Sequence, residues 1–157
     1  MGKTLNDRIT SSTNAYWIGW AHDKVTLNGG HSYDWSNMTT YKSENISYSG
    51  KTITFGVSGL YYIKGYAHFN NNPTRSFISL VFSNAGDYCP ANVRSNDTQN
   101  MSGDPAYELN FMAYIKAGAT MDMTIWLGNT STLLGNAGWN DSSSGFCIYK
   151  IGNYIGE

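Results

Sequence analysis

Apolar and polar residues alternate along much of the chain with the period of two that is typical of half-buried β-strands. The alternation marks the segments 52–57, 108–116, 120–127 and 145–151, and aromatic strands are expected at 16–21 and 60–69. A nearly continuous apolar run at 77–82 predicts a further, buried strand, and irregular short strands are expected between Tyr33 and Tyr48. No segment has the 3.6-residue period of an amphipathic helix. The pattern therefore predicts an all-β protein of eight to ten antiparallel strands, arranged as a double-sheet jelly roll.

Turn residues divide these strands. Ser58-Gly59 separates the strand at 52–57 from the next one, which predicts a central hairpin. The polar segments 83–104 and 128–144 are predicted to be long loops. Residues 1–14 are polar and are interpreted as a linker or stalk junction, so the head domain is predicted to span residues 15–157.

The strand at 60–69 carries large side chains on both of its faces. One face holds Tyr61, Ile63 and Phe69, which suit a core. The other face holds Tyr62, Lys64, Tyr66 and His68. Because a solvent-facing strand surface is normally polar, these two tyrosines predict a covered face, with a second subunit as the cover. Trp126, in another strand-like segment, is assigned to the same interface.

Three segments, in order, resemble motifs of the tumour necrosis factor and complement component 1q globular-head superfamily. They are the Gly-x-Tyr corner at 59–63, the strand ending in a Lys-x-Gly turn at 107–118, and the Ser-Gly-Phe strand at 144–149. The resemblance covers about residues 16–151 and implies a homotrimeric jelly-roll binding head. In one departure, the Asp that usually follows the Lys-x-Gly turn is replaced by Ala119.

The low charge of the chain excludes two classes of binding partner. Charged residues make up only 13% of the chain and the formal net charge is −1, so no electrostatic footprint for nucleic acid or an anionic membrane is present. No apolar run reaches the ~20 residues of a membrane helix. The N-terminus has no signal-peptide core, and no collagen repeat occurs. These features predict a microbial or viral protein at an extracellular or virion surface, joined to an upstream fibre or stalk.

Catalytic and metal-binding patterns are weak. His22, His31 and His68 lack metal-type spacing, and no nucleophile elbow occurs. A glycosidase-like carboxylate pair of Asp104 and Glu108 is weighed against two ordinary solvent-facing acids, which is the preferred interpretation. The chain is therefore predicted not to be an enzyme and to need no cofactor. Calcium bound by Asn140, Asp141 and Asp104 remains an alternative.

The ligand-binding residues are predicted in the two long loops. Trp139 lies among Asn136, Asn140 and Asp141, a setting in which an indole ring can stack on a sugar while amides and carboxylates bond its hydroxyls. The alternative is that Trp139 folds back over the end of the sandwich. Tyr88 and Arg94 are further ligand-binding candidates in the other loop.

The sequence thus predicts a trimeric head at the tip of a phage or bacterial surface fibre, recognising a host-surface glycan or receptor. The alternative function is a structural trimerisation cap of a fibre or capsid appendage that has no ligand of its own. Cys89 and Cys147 are expected to be free thiols, although a bridge between them stays open.

Overall fold

The computed structural model describes residues 13–35, 38–70, 75–95, 98–99, 106–133 and 144–156. These residues form fourteen β-strands in two seven-stranded sheets. Sheet I contains β1 (Tyr16–Ala21), β2 (Val25–Leu27), β4 (Met38–Glu44), β7 (Gly59–Asn70), β11 (Ala106–Ile115), β13 (Ser131–Leu133) and β14 (Gly145–Gly152). Sheet II contains β3 (His31–Asp34), β5 (Ile46–Ser49), β6 (Thr52–Phe55), β8 (Arg75–Ser83), β9 (Asn92–Arg94), β10 (Thr98–Gln99) and β12 (Thr120–Leu127). No described segment is a helix that could cross a membrane.

Sheet I is built around β7. This strand pairs with β11 along one side and with β14 along the other, and β14 leads on to β1 and then to β4. The C-terminal end of β7 also pairs with β13, which in turn pairs with β2. All of these pairs are antiparallel, and most join strands that are distant in the sequence, as a jelly roll requires.

Sheet II is built around β12. β8 pairs with β12 along its whole length, while β6 and β3 share its other side. β5 extends the sheet beyond β6, and β9 and β10 both pair with β8. The all-β antiparallel sandwich expected from the sequence is therefore confirmed.

The predicted central hairpin is wrong. β6 belongs to sheet II and β7 to sheet I, so the turn between them carries the chain from one sheet to the other. The corner is fixed by two hydrogen bonds: Gly56 N donates to Asn45 O at 2.8 Å, and the Tyr61 hydroxyl donates to Val57 O at 2.6 Å. Alternation identifies strands and turn residues identify a corner, but neither specifies the partner of each strand.

The predicted number of strands, eight to ten, is too low. Several of the additional strands have only two to four residues, and three of them, β9, β10 and β13, lie inside the segments predicted as long loops. Such short strands contain too few residues to show a period of two, and they exist because a longer strand offers them its hydrogen-bonding edge.

The core lies between the two sheets. Along β12 every second residue is buried, and Met121, Met123 and Leu127 are fully enclosed. From sheet I, Trp17 is also fully buried, and its indole Nε1 donates to Thr40 Oγ1 at 2.9 Å. Burial of the apolar area of these side chains is the main stabilising term of the sandwich.

The Lys-x-Gly turn accounts for the unusual Ala119. Gly118 has a φ of 86° and donates its N–H to Phe55 O at 2.7 Å, while Ala119 accepts from Phe55 N at 2.9 Å. These contacts enclose Ala119 completely. An Asp at this position would need a partner for a buried carboxylate, so a small apolar residue suits this turn.

Candidate functional site

The outer face of sheet I carries a row of large side chains across four neighbouring strands. Tyr16 of β1 lies opposite Tyr149 of β14, Tyr149 opposite Tyr62 of β7, and Tyr62 opposite Met112 of β11. Met112 is 63% exposed and Tyr149 38% exposed, although both belong to residue types that proteins bury readily. We call the outer surface formed by Tyr16, Tyr62, Tyr66, Met112 and Tyr149 the aromatic face.

Polar side chains also lie on this face. Lys64 lies opposite Cys147 and Asn110, and its ammonium is 3.5 Å from Glu108 Oε1 in a partly exposed ion pair. The Lys42 ammonium is 5.9 Å from the Tyr16 ring centroid. Burial raises the pKa of Tyr66, an effect that Cys147 adds to and Lys64 opposes, and burial likewise raises the pKa of Cys147. Both groups therefore stay protonated at neutral pH.

One predicted interface residue lies elsewhere. Tyr62, Lys64, Tyr66 and His68 occupy alternate positions of β7 and share the outer face of sheet I, as the sequence predicted. Trp126 is on β12, with its ring against Phe77 on the outer face of sheet II. Because the core separates the two outer faces, Trp126 does not share a surface with Tyr62, and its assignment to the subunit interface stays a prediction.

Three tyrosines form a cluster beside the aromatic face. The rings of Tyr88, Tyr114 and Tyr154 contact one another edge to face, with centroids 6.0 to 6.5 Å apart. The Lys116 ammonium lies 5.9 Å from the Tyr154 ring centroid. Tyr88, a predicted ligand-binding residue, is 59% exposed and belongs to this cluster at the end of β11. It extends the apolar surface of sheet I.

Arg94, the other predicted ligand-binding residue of that loop, lies on the opposite side of the sandwich. Its guanidinium carbon is 5.0 Å from the centroid of the Phe77 ring. Phe77 in turn stacks on Trp126, with centroids 5.7 Å apart and an angle of 12° between the planes. We call Arg94, Phe77 and Trp126 the Arg94 cluster. Tyr88 and Arg94 therefore contact different sheets.

A small cavity lies between the sheets near one end of the sandwich. It has a volume of about 30 Å³ and is lined mainly by apolar side chains, among them Val25, Met38 and Leu133. Trp35 also lines it, and its buried Nε1 has no hydrogen-bond acceptor among the described residues. A cavity of this size holds one or two water molecules, which would satisfy this donor.

The predicted Trp139 site lies outside the described residues. The same is true of Asn136, Asn140 and Asp141, and of Asp104 in the calcium alternative, so these assignments remain predictions. Glu108, the other carboxylate of the glycosidase-like pair considered from the sequence, forms the ion pair with Lys64. Within the described part of the chain no three His, Cys, Asp or Glu side chains are grouped closely enough to hold a metal ion.

Both cysteines are free. Cys147 is on the outer face of sheet I, and Cys89 is half-buried in the segment between β8 and β9. Burial raises the pKa of the Cys89 thiol to about 11, so little reactive thiolate forms at neutral pH.

Sequence reasoning did not single out Met112, Tyr149 or Phe77. Met112 and Tyr149 each lie one residue away from a core position of an alternating strand, whereas Phe77 belongs to the run at 77–82 that was expected to be buried. The missing information was the register, which alone shows that Tyr149 and Met112 flank Tyr62 and that Phe77 faces Trp126.

The fold is a jelly roll of the tumour necrosis factor and complement 1q type. The structure of Eiger TNF from S. frugiperda aligns with 90% of this chain and 95% of its own, with a TM-score of 0.66 and 9% sequence identity. Murine APRIL at pH 5.0 aligns with 88% of this chain and all of its own, with a TM-score of 0.64 and 9% identity.

The globular domain of the zebrafish complement 1qA protein is similar over 90% of this chain and 99% of its own, with a TM-score of 0.61 and 12% identity. No protein-family model and no curated protein matches the sequence. At identities this low the likeness concerns the fold, and the resemblance of the three sequence motifs is confirmed to that extent.

Proposed function

We propose that the chain is a self-associating binding head, assembled as a homotrimer through the aromatic face and displayed outside a cell or on a virion at the end of a fibre. The observation that carries this proposal is the row of Tyr16, Tyr149, Tyr62 and Met112 on the outer face of sheet I. Contiguous exposed apolar surface of this kind marks a site of protein association.

The chemistry of the face supports association rather than ligand capture. Tyrosine and methionine are enriched in protein–protein interfaces, and charged residues are depleted in their cores. Lys64 lies between Tyr62 and Tyr66 on β7, and its ion pair with Glu108 would offset its charge within such an interface. Obligate oligomers bury roughly 2,000 Å² or more, an area that a face spanning four strands can supply.

A threefold arrangement is proposed from the fold. A sheet face that packs against a different part of the next subunit makes a head-to-tail contact, and such contacts close into rings. Three copies of one weak ligand site would then act together on a surface that displays many ligands, which raises avidity. The ligand proposed is a host-surface glycan or receptor, and the phage or bacterial origin of the fibre stays a prediction.

Light scattering of the purified chain at micromolar concentration tests the assembly. The expected mass is three times that of the monomer, and a monomeric wild type would overturn the proposal. Binding to an array of glycans and to host cells separates the binding head from the structural trimerisation cap. A trimer that binds neither would support the cap.

A further inference from the structure

We propose that the Arg94 cluster on the outer face of sheet II is a binding site for a carboxylate-bearing sugar, such as a uronic or sialic acid residue of an acidic glycan. This inference rests on the proposed function of the chain as a binding head and names the ligand class and the residues that contact it. It concerns the outer face of sheet II, which is a different surface from the aromatic face.

The aromatic part of the cluster is held by strand pairing. Phe77 on β8 and Trp126 on β12 are direct cross-strand partners, and their rings stack at an angle of 12°. Each is only half-buried, although each is flanked along its strand by fully enclosed core residues. Two stacked rings at a half-buried position give a rigid apolar surface beside the guanidinium, against which the apolar part of a ligand can pack.

Arg94 lies on this surface, with its guanidinium carbon 5.0 Å from the Phe77 ring centroid. This cation–π contact favours a position of the Arg94 side chain over the aromatic pair. Among the described residues no carboxylate forms an ion pair with it. The acids of the same sheet face are engaged elsewhere: Asp34 is 3.6 Å from Lys51 Nζ, and Asp122 accepts the Thr52 hydroxyl at 2.7 Å.

An arginine with no carboxylate partner among the described residues indicates the charge of the ligand. A guanidinium bonds a carboxylate through two parallel N–H groups, and these charge-assisted bonds are stronger than neutral ones. One arginine neutralises one negative charge, which suits a carboxylate better than a phosphate dianion. Ser79, the direct strand partner of Arg94, is buried and donates its hydroxyl to Asn92 Oδ1 at 3.5 Å, and the exposed Asn92 side chain offers an amide group beside the cluster.

The test compares matched ligands on the assembled wild-type protein by calorimetry. The probes are sialyllactose against lactose, and a glucuronate-containing disaccharide against its glucose counterpart. We expect at least one acidic probe to bind roughly tenfold or more tightly than its neutral partner, the factor expected from one charge-assisted contact. The preference should weaken as salt is raised, because the charges meet at an exposed site. Sulfated and phosphorylated lactose distinguish a general anion site from a carboxylate site.

Variants assign the effect to the cluster. Arg94→Gln should remove the preference for acidic probes, and Arg94→Lys should restore only part of it, because an ammonium keeps the charge but lacks the planar fork. Phe77→Leu should weaken the binding of acidic and neutral probes together. Lys24→Gln removes the same charge from the exposed turn between β1 and β2 and should change nothing.

Four results would overturn the inference. They are equal affinity for the acidic and neutral probes, an Arg94→Gln variant that keeps the preference, loss of the preference in Lys24→Gln, and tighter binding of the phosphorylated or sulfated probe. In each case a trimer that still binds glycans leaves the proposed function standing. Absence of binding to every glycan would overturn the inference alone, because the proposed head could still bind a receptor on host cells. A monomer in light scattering would overturn the proposed function.

Discussion

Tyr62 and Tyr149 are direct cross-strand partners on β7 and β14, and both side chains point out of the sandwich. On the other side of the same two strands, Ile63 and Ile148 are also partners and are fully buried. The two central strands of sheet I therefore present large side chains to both of their faces. Cross-strand aromatic pairs stabilise a sheet modestly, and the proposed assembly would also bury the outward-facing pair.

A charge placed in the aromatic face should break assembly. Tyr66→Asp would bury an unpaired carboxylate between subunits, which strongly opposes association. We expect light scattering to show a monomer, or the protein to become insoluble. The matched control is Val81→Asp, which puts the same charge on the outer face of sheet II, where Val81 is 41% exposed. A trimeric Tyr66→Asp variant would show that this face is not the interface.

Truncation on the two faces of β11 should have very different costs. Leu109 is buried in the core, whereas its neighbour Asn110 is exposed. Leu109→Ala should lower the free energy of unfolding by about 2–5 kcal/mol, because it removes buried methyl groups and leaves a cavity. Asn110→Ala should change it by less than about 0.5 kcal/mol. Denaturant unfolding at equal protein concentration measures both, and equal shifts would contradict the register of β11.

A side chain at Gly65 should conflict with Phe146. The two residues are cross-strand partners, and a Cβ at position 65 would lie 2.2 Å from the Phe146 ring. Gly65→Ala should therefore cost about 1–3 kcal/mol through overpacking. Adding Phe146→Leu should recover part of that loss, so the double-mutant cycle should give a coupling energy of opposite sign to the single effects. Strict additivity of the two changes would show that the ring does not cover Gly65.

Stability should fall at high pH because of Tyr61. Burial raises the pKa of its hydroxyl from 10.0 to about 12, so the folded chain holds this proton more tightly than the unfolded chain. The protonated Tyr61 hydroxyl therefore contributes to the stability of the folded state fully below about pH 10, and this contribution is lost as the pH rises towards 12. Tyr61→Phe should make the melting temperature less sensitive to pH in this window, at the cost of the hydrogen bond to Val57. If the wild type and Tyr61→Phe showed the same pH dependence of the melting temperature, the loss of stability would be due to other tyrosines.

Trp139 gives a prediction that depends on the sequence alone. If this indole contacts the ligand beside Asn140 and Asp141, Trp139→Ala should abolish adsorption to host cells and leave the trimer and the melting temperature nearly unchanged. A Trp folded over the end of the sandwich would instead cost several kcal/mol when truncated. A large fall in melting temperature would therefore contradict a ligand-binding role. Unchanged adsorption with unchanged stability would leave the Arg94 cluster as the site to test.

The alternation of residues predicted more of the fold than of the surface. The longest strands were predicted close to their observed bounds, because eight or more residues with one buried face show a clear period of two. Short strands such as β9 and β13 were predicted as loops, since three residues carry almost no periodic signal. Their pairing depends on the open edges of β8 and β7, which are not properties of their own sequence.

The sequence by itself determined which side chains face inward and which face outward, because the pleat of a strand fixes that relation locally. Tyr62, Tyr66 and Trp126 were accordingly all identified as outward-facing aromatic residues. Only the tertiary structure decided which outward residues share a surface. It separated Trp126 from Tyr62 by the width of the core and brought Trp126 together with Phe77 and Arg94. The reason is that sheet membership and register are set by packing and hydrogen bonding between strands distant in the chain, where the local pattern carries no information about the partner.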